Sequence, residues 1–303
     1  MSFIAIAVNA FLYSVKTFSA LFRTPIEKQQ NRERRTQLQK RISPFLLRRT
    51  KNQVVKELPE KVEMTRYVEL TDAQRDLYET IRVTMQKKVR DEIAKMGLAR
   101  SHIIILDALL KLRQVCCDPR LLKIAAQKHI ESAKLSYVID LVTELLAEGR
   151  RILLFSQFTS MLDLIKPMLD EKQIPYVVLT GKTKDRATPV QQFQEEKIPL
   201  FLISLKAGGT GLNLTAADTV IHYDPWWNPA VETQATDRAH RIGQLKTVFV
   251  YKIVAKGTVE EKILEMQQNK RALMEGLFDT EGKTIHKLTA KDFSGLFEPL
   301  SAS

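Results

Sequence analysis

Residues 152–179 have the sequence ILLFSQFTSMLDLIKPMLDEKQIPYVVL, and this stretch decides the fold class. Short apolar runs at 152–155 and 176–179 predict two strands, and the apolar residues of 161–169 recur at helical spacing between them. A strand, a helix and a second strand in this order form the repeating unit of a parallel sheet. Three more strands of the same kind are predicted at 200–204, 220–223 and 248–254.

Predicted helices alternate with these strands, so we expect an α/β fold in which helices cover both faces of a parallel sheet. The helices are predicted at 189–196 and from about residues 230 and 259 onward. An apolar stripe that runs from Leu135 to Leu146 and ends at Gly149 predicts another helix before the first strand. Ligands of such folds bind at the carboxyl ends of the strands, which directs attention to the loops there.

The chain up to about residue 130 is helix-like and predicts a helical subdomain ahead of the sheet. Thr71 suits an N-cap, and Leu77, Ile81 and Met85 follow it at near-helical spacing. The main strand signal in this part is at 62–70. We therefore divide the chain into three parts: a helical segment at 1–130, an α/β lobe at 131–256, and a terminal helix and tail at 257–303.

The composition favours a polyanionic partner. The 303 residues carry 47 Lys and Arg against 35 Asp and Glu, a formal net charge of +12. Nucleic acid leads the partners of such a chain, and a solvated helical surface is the alternative reading of the excess. The apolar opening at 3–13 is too short to span a bilayer, so we expect no membrane partner.

The cysteines and histidines give no sign of a disulfide framework or a metal site. Cys116 and Cys117 are neighbours and lack CxxC spacing, which indicates a reduced, intracellular protein. The five histidines are scattered along the chain, so their spacing predicts no bound metal.

Two loops that follow predicted strands carry candidate ligand-binding residues. Residues 207–214 have the sequence AGGTGLNL, in which closely spaced glycines let backbone amides approach a phosphate or a ribose. A tight structural turn is the alternative reading of this loop. Trp226 and Trp227 follow the strand at 220–223, and for them core packing competes with stacking on a base or ribose.

A helix predicted at 229–242 carries the sharpest pattern in the sequence. Gln234, Arg238 and Arg241 stand at positions i, i+4 and i+7, which places them on one face of such a helix. Two guanidinium groups and an amide on one stripe suit a polyanionic ligand. The alternative is a surface salt bridge between Asp237 and Arg241, which also stand at i and i+4.

The sequence contains no phosphate-binding loop of the P-loop type. The string Gly181-Lys182-Thr183 ends like such a loop, but Tyr176 stands where the motif needs its first glycine. No other GK[ST] string and no DExH string is present to hold a triphosphate and magnesium. These residues alone therefore lack the usual means of binding Mg-ATP.

Taken together, these segments resemble the Swi/Snf-type ATPases, the double-stranded DNA translocases of helicase superfamily two. Upstream, residues 45–51 and 58–61 resemble the segment that joins the first ATPase lobe to the helical protrusions of that family, and residues 257–271 resemble its brace helix. The central motifs occur in the family's order and spacing: FSQF at 155–158, LTG at 179–181, AGGTGLNL at 207–214, ADTVI at 217–221, WNP at 227–229 and QATDRAHRIGQ at 234–244.

The resemblance implies a RecA-like C-terminal helicase lobe with an ATP-facing side. The family's arginine fingers fall on Arg238 and Arg241, which would reach the γ-phosphate of ATP, and Gln234 lies beside them. The residues that would line the nucleotide side of the cleft are Gly209, Gly211 and Asn213. Magnesium and the triphosphate would be held mainly by the first lobe, whose motifs these residues do not include.

The resemblance also implies a double-stranded DNA partner and an intracellular location, in the cytoplasm or nucleoid of a bacterium or the nucleus of a eukaryote. The residues that match positions facing or supporting the DNA track are Ser156, Gln157, Gly181, Ser204, Lys206 and Trp227. The implied function is the C-terminal lobe of an ATP-dependent DNA translocase or remodeller that needs a first lobe for hydrolysis.

Two other functions stay open. A strand-separating or RNA helicase of the same superfamily is disfavoured by the WNP and RIGQ strings at 227–229 and 241–244. The second alternative is a non-catalytic module from a truncated gene that binds nucleic acid or a protein partner. The lack of phosphate-binding motifs supports this second alternative.

Overall fold

The chain divides into two compact units, Met1–Glu57 and Leu58–Ser303. The computed structural model describes residues 15–29, 31–42, 58–97, 100–122, 129–208, 211–278 and 297. The family-like segment at 45–51 therefore lies outside the described residues. The described part of the first unit is helical, with α1 (Val15–Phe18), a π-helical turn (Ser19–Arg23), α2 (Thr24–Gln29) and the basic helix α3 (Arg32–Ile42).

The second unit combines strands and helices in alternation, as the sequence predicts. Its elements in chain order are β1 (Lys61–Val68), α4 (Asp72–Met96), α5 (His102–Cys117), a 3₁₀ turn (Pro119–Leu122), α6 (Ala133–Ala147), β2 (Ile152–Ser156), α7 (Thr159–Glu171), β3 (Tyr176–Leu179), α8 (Ala187–Gln194), β4 (Leu200–Ser204), α9 (Leu205–Gly208), β5 (Thr219–His222), α10 (Pro229–Thr236), β6 (Val248–Ala255) and α11 (Val259–Phe278).

The six strands form one parallel sheet with the order β1-β6-β5-β2-β4-β3. Five of them are the predicted strands, so the α/β fold with a parallel sheet is confirmed. The sixth, β1, matches the strand signal at 62–70, within the segment that we expected to be mainly helical, and it pairs with β6 from Lys61 to Val68. Its side chains are mostly half-buried or exposed, because β1 is an edge strand, and its apolar signal is correspondingly weak.

Helices cover both faces of the sheet. Neighbouring residues of each buried strand point to opposite faces, so each face contributes its own apolar cluster. Ile152 and Leu154 pack with the helical residue Ile165 in one apolar cluster. Leu153 and Phe155 belong to a second cluster on the other face. All four strand residues are essentially inaccessible to solvent, which explains why the central strands are continuous apolar runs.

A helical hairpin of α4 and α5 packs beside the sheet around a third apolar cluster. The hydroxyl of Thr71 accepts a hydrogen bond from the Gln74 amide at 3.3 Å, which confirms the predicted N-cap. Ile81 is buried in the cluster, and Leu77 and Met85 pack against it. The predicted face of this helix is therefore the one that packs.

A buried ion pair joins the start of α6 to the start of α11. Lys134 and Glu260 contact each other through Nζ and Oε2, and neither side chain is accessible to solvent. Lys134 Nζ also donates to the Tyr223 and Ile253 carbonyls at 3.3 Å each. Burial alone would lower the pKa of Lys134, but the Glu260 carboxylate together with Cys117 and Cys116 raises the pKa above its usual value.

Helix length and hydropathy bear on the membrane expectation. Among the described residues, no helix is both long enough and apolar enough to cross a bilayer.

Candidate functional site

The carboxyl ends of β2, β3, β4 and β5 lie at one edge of the sheet, because all the strands are parallel. The loops that follow them carry most of the residues singled out in the sequence. These are Gln157 after β2, Gly181 after β3, Lys206 to Asn213 after β4, and Trp227 after β5. We call this edge the carboxyl edge.

Asp224 is a buried carboxylate that joins the loops after β2 and β5. Its Oδ1 accepts from Ser156 Oγ at 2.7 Å and from the Gln157 amide at 3.2 Å. Burial raises the pKa of Asp224 to about 6, and the cation of Arg113 opposes this. Ser156 is buried with its hydroxyl occupied, so it supports the loop and does not face solvent.

Arg113 of the helical hairpin reaches the same junction. Its guanidinium donates to Gln157 Oε1 at 2.9 Å and to Asp224 Oδ2 at 3.5 Å. The guanidinium carbon also lies within 6 Å of the ring centroids of Trp226 and Trp227. The sequence analysis missed both Arg113 and Asp224, although Arg113 interrupts an apolar helix at a core position, which is a signal that could have been used.

Both tryptophans are half-buried, and they pack on different clusters. Trp226 packs against the cluster that contains Phe155, and Trp227 packs against the cluster of the helical hairpin. Apolar packing therefore accounts for the burial of part of each ring. The Trp226 amide donates to Glu232 Oε1 at 2.6 Å, which fixes this loop to α10.

The loop after β4 combines an exposed cation with a tightly packed glycine. Ser204 is buried, and Lys206 is exposed in the short helix α9. A Cβ atom at Gly208 would lie 2.7 Å from Phe155 Cε1, so only glycine fits here. Gly209 lies outside the described residues. Gly211 and Asn213 are exposed, and Gly211 has a φ of +38°, which favours glycine.

The string at 181–183 forms a turn after β3. The Thr180 amide donates to Thr183 Oγ1 at 3.0 Å, and the Thr183 amide donates back to the Thr180 carbonyl at 3.2 Å. Gly181 is exposed in this turn, and the next helix begins only at Ala187. The turn is thus not a phosphate-binding loop, in agreement with the sequence.

The helix expected at 229–242 ends at Thr236, so the expected helical stripe was wrong. Gln234 lies on α10, but Arg238 and Arg241 lie on the turns that follow. In these turns the amides of Arg238 and Ala239 donate to carbonyls three residues earlier. We call residues 237–244 the arginine turn.

Side-chain and backbone bonds from distant residues explain why the helix stops. Gln244 Nε2 donates to the carbonyls of Ala239 at 3.1 Å and of Ala217 at 2.7 Å, which folds the turn back on itself. The Leu214 amide donates to the Arg238 carbonyl at 2.9 Å and thereby ties the turn to the glycine-rich loop. The carbonyls of Arg238 and Ala239 thus accept from Leu214 and Gln244, whereas in a continued helix they would accept from amides four residues later.

The two arginines of the turn lie close enough to affect one another. Burial lowers the pKa of Arg238, the positive charge of Arg241 lowers it further, and Asp237 opposes both. Arg238 is half-buried and donates from Nη1 to the Leu212 carbonyl at 3.4 Å. Arg241 is exposed. The turn therefore presents two neighbouring guanidinium groups beside the glycine-rich loop, although not by helical periodicity.

Two further contacts anchor the arginine turn and the end of α10. His240 Nε2 donates to the Pro59 carbonyl at 2.8 Å, which ties the turn to the segment before β1. His222 Nε2 and Thr236 Oγ1 are hydrogen-bonded at 2.9 Å, which ties the last residue of α10 to β5. Burial lowers the pKa of His222 to about 4, so this ring is neutral at pH 7.

Two domain families match the sequence. The SNF2-related domain matches residues 1–121, and the helicase conserved C-terminal domain matches residues 133–243. The second match includes β2 to β5, the glycine-rich loop and most of the arginine turn. The two matches meet near the start of α6.

Proteins named as helicases are similar in sequence to this chain. An ATP-dependent helicase of Mycoplasma genitalium, described as uncharacterized, is 41% identical over 292 residues, which are 95% of this chain and 27% of that protein. Human chromodomain-helicase-DNA-binding protein 1 is 37% identical over 287 residues, which are 88% of this chain and 16% of that protein. The chain thus spans about a quarter of the length of the first relative and a sixth of the second.

Solved structures of Sulfolobus solfataricus SWI2/SNF2 ATPases share the fold. The ATPase core in complex with double-stranded DNA is 31% identical, with a TM-score of 0.63, and the match covers 97% of this chain and 62% of that one. The isolated C-terminal domain is 28% identical, with a TM-score of 0.59, and the match covers 80% of this chain and 100% of that one.

Proposed function

The chain belongs to the Swi/Snf-type ATPases of helicase superfamily two and contains the RecA-like C-terminal lobe of that family, and from this premise we propose that it forms one wall of a DNA-dependent ATPase site. In this proposal the arginine turn faces ATP held by a lobe with phosphate-binding motifs. The loops after β2 to β5 face or support double-stranded DNA, the ligand of the Sulfolobus relative.

The observation that carries the proposal is the pair of neighbouring guanidinium groups on the arginine turn, beside the glycine-rich loop. The fork of Arg241 is exposed, and a planar fork suits phosphate oxygens. Arg238 is steadied by the Leu212 carbonyl beside it. Gln234 is exposed on α10, close in sequence to both arginines. Gly209, Gly211 and Asn213 belong to the loop that the arginine turn contacts, and we assign this loop to the nucleotide side.

Bound Mg-ATP supplies the phosphoanhydride bond, and the first lobe would hold its magnesium. The two arginines would neutralise negative charge on the terminal phosphate during hydrolysis. The bonds from Gln244 and Leu214 hold the turn before the nucleotide arrives, so the arginines need little reorganisation. This chain would contribute positioned positive charge, and its own sequence supplies no magnesium ligands of the usual motifs.

The DNA track would combine exposed and supporting residues. Lys206 is exposed in the short helix α9 and Gly181 in the turn after β3, where a side-chain cation and a backbone amide can contact phosphate. Ser156 and Ser204 are buried and would shape these loops from beneath. Gln157 and Trp227 are half-buried between the loops and the helical hairpin. Contacts of this kind do not depend on base sequence, as a translocase requires.

The first test of the proposal is ATP turnover. The 303-residue chain alone should hydrolyse no ATP above background, because it lacks the GxxxxGK[ST] and DExH strings. The same chain joined to a first lobe that contains both strings should show turnover stimulated by double-stranded DNA. A steady-state phosphate-release assay measures both. DNA-stimulated turnover by the chain alone contradicts the proposed division of roles.

Two further results of this assay would favour other functions. Stimulation by single-stranded RNA with duplex unwinding would favour the helicase alternative. A chain that binds DNA but gives no turnover with any first lobe would favour the non-catalytic module.

The second test concerns Lys206 and the DNA backbone. DNA binding by the chain should weaken steeply with salt, because each phosphate contact releases a counterion. Replacing Lys206 by Ala should flatten the slope of log K against log salt by about 0.9, the value for one phosphate contact. Fluorescence anisotropy with a short duplex measures the slope. Lys197 offers a matched control, because it lies at the opposite edge of the sheet, before β4, and is exposed.

An unchanged slope in Lys206→Ala would remove this residue from the DNA track, and a change of the same size in Lys197→Ala would show that the effect is not local. The proposed DNA-dependent role would also put the protein with the chromosome, in the nucleoid of a bacterium or the nucleus of a eukaryote.

A further inference from the structure

Arg113 joins three elements that are far apart in the sequence. It lies on α5 of the helical hairpin and is only 2% exposed. Its guanidinium donates to the Gln157 side chain after β2, at 2.9 Å, and to the Pro225 carbonyl after β5. A single side chain thus contacts two loops of the carboxyl edge, those after β2 and β5, from outside the sheet.

Three aromatic rings surround the same guanidinium. Its carbon lies 5.7 Å from the ring centroid of Phe158, 5.5 Å from that of Trp226 and 5.6 Å from that of Trp227. A cation over aromatic faces is stabilised by their quadrupoles, more so where water is excluded. We call Arg113 and these three rings the arginine cage. Both tryptophans therefore contact this one charge, in addition to the apolar clusters on which they pack.

The hydrogen bonds of Arg113 also orient the amide of Gln157. Because arginine can only donate, Gln157 must present its oxygen to Arg113, and its Nε2 group is directed elsewhere. Gln157 Nε2 is buried and has no hydrogen-bond partner within the described part of the chain. An unsatisfied donor is costly to leave in place, and a phosphate oxygen would accept from Nε2 once a small shift of this loop exposed it.

We propose that Arg113 is a positioning residue for DNA binding, which holds Gln157 and Trp227 in the arrangement that the DNA backbone requires. The inference rests on the proposed DNA-binding function of the carboxyl edge. It adds that the helical hairpin takes part in DNA binding through this contact. A change in the hairpin that moves Arg113 would move both loops together.

The test replaces Arg113 by Lys in the full chain and uses two readouts. Lysine keeps the positive charge but lacks the planar fork, so it cannot donate to Gln157 and Pro225 at once. Trp226 and Trp227 are the only tryptophans of the chain, so emission after selective excitation of tryptophan reports on the two tryptophans of the arginine cage. We expect a red-shifted emission, stronger quenching by acrylamide, and a Kd for a short DNA duplex raised about tenfold.

Arg151→Lys is the matched control. Arg151 is also a buried arginine, stacked at 4.7 Å on the Phe193 ring and donating to backbone carbonyls, one of them Ile198 at 3.2 Å. It precedes β2 and lies at the opposite, amino edge of the sheet. The control should lose stability of a similar kind, yet keep the tryptophan emission and change the Kd by less than about twofold.

If Arg113→Lys does not fold, as judged by circular dichroism, Arg113→Met combined with Asp224→Asn replaces it. This pair leaves no lone buried charge and should show the same two changes. A folded variant with unchanged emission and unchanged Kd overturns the inference, and so does an equal loss of DNA affinity in Arg151→Lys. If the unaltered chain binds no DNA, the proposed function fails and the DNA part of the inference fails with it. Changed emission in Arg113→Lys would then show only that Arg113 holds the loops.

Discussion

Replacing Arg241 by Ala in the complete ATPase should lower DNA-stimulated turnover by about 10³-fold to 10⁵-fold, the usual contribution of an arginine at a phosphoryl-transfer site. Arg241 is exposed on the arginine turn and lies close to Arg238. Arg238→Ala should have an effect of the same order. DNA affinity should persist in both variants, because neither side chain belongs to the proposed DNA track. Turnover and DNA anisotropy, measured on the same preparation, separate the two effects.

Two companion variants decide between an arginine finger and a surface salt bridge. Arg241→Lys should fail nearly as badly as Arg241→Ala, because an ammonium group cannot reproduce the two-pronged donor. Asp237→Ala should remain comparatively active, although Asp237 acts on the pKa of Arg238. If Arg241 merely paired with Asp237, both alanine variants would keep near-normal turnover. Near-normal turnover in Arg241→Ala would refute the assignment.

The largest stability effect should come from the buried ion pair. Lys134→Met leaves the Glu260 carboxylate without its cation in a place that water does not reach, and this should cost about 3 to 5 kcal/mol of unfolding free energy. Adding Glu260→Gln should restore much of the loss, because glutamine can still accept from the Ala255 amide, which Glu260 contacts at 2.9 Å. Urea unfolding of the single and double variants measures this coupling.

The surface ion pair between Lys256 and Glu69 is the control for the variants of the buried pair. Both side chains are more than half exposed, although their atoms are 2.8 Å apart. Water and salt screen such a pair, so Lys256→Met should leave the denaturation midpoint nearly unchanged. A small loss in Lys134→Met, similar to that of the surface variant, would show that the interior tolerates a lone carboxylate there.

The central sheet could be predicted from the sequence because its strands are buried on both faces. Ile152 to Phe155 and Leu200 to Ile203 are unbroken apolar runs, and a run of that length between helices has few other interpretations. The strand signal at 62–70 is confirmed by β1, but its place in the sheet was not predicted, because an edge strand with charged residues such as Lys61 and Glu63 has no such run.

The site was harder to predict, since it depends on contacts between distant residues. The arginine turn departs from a helix because Gln244 and Leu214 bind its carbonyls, and local periodicity cannot reveal such partners. Arg113 was missed for a related reason, since its partners lie on loops more than forty residues away in the chain. The roles given to Arg238, Arg241 and the DNA-track residues remain predictions for the experiments above.

The pairing of β1 with β6 has a consequence for how the protein folds during synthesis. Lys61 leaves the ribosome long before Val248, its partner in the sheet. At about 5 to 20 residues per second, the intervening chain takes roughly 10 to 40 s to synthesise. Throughout that interval β1 has no partner strand, while β2, β3 and β4 can already pair. The strand next to Pro59, which anchors His240, is thus added last, and the arginine turn acquires its final support only then.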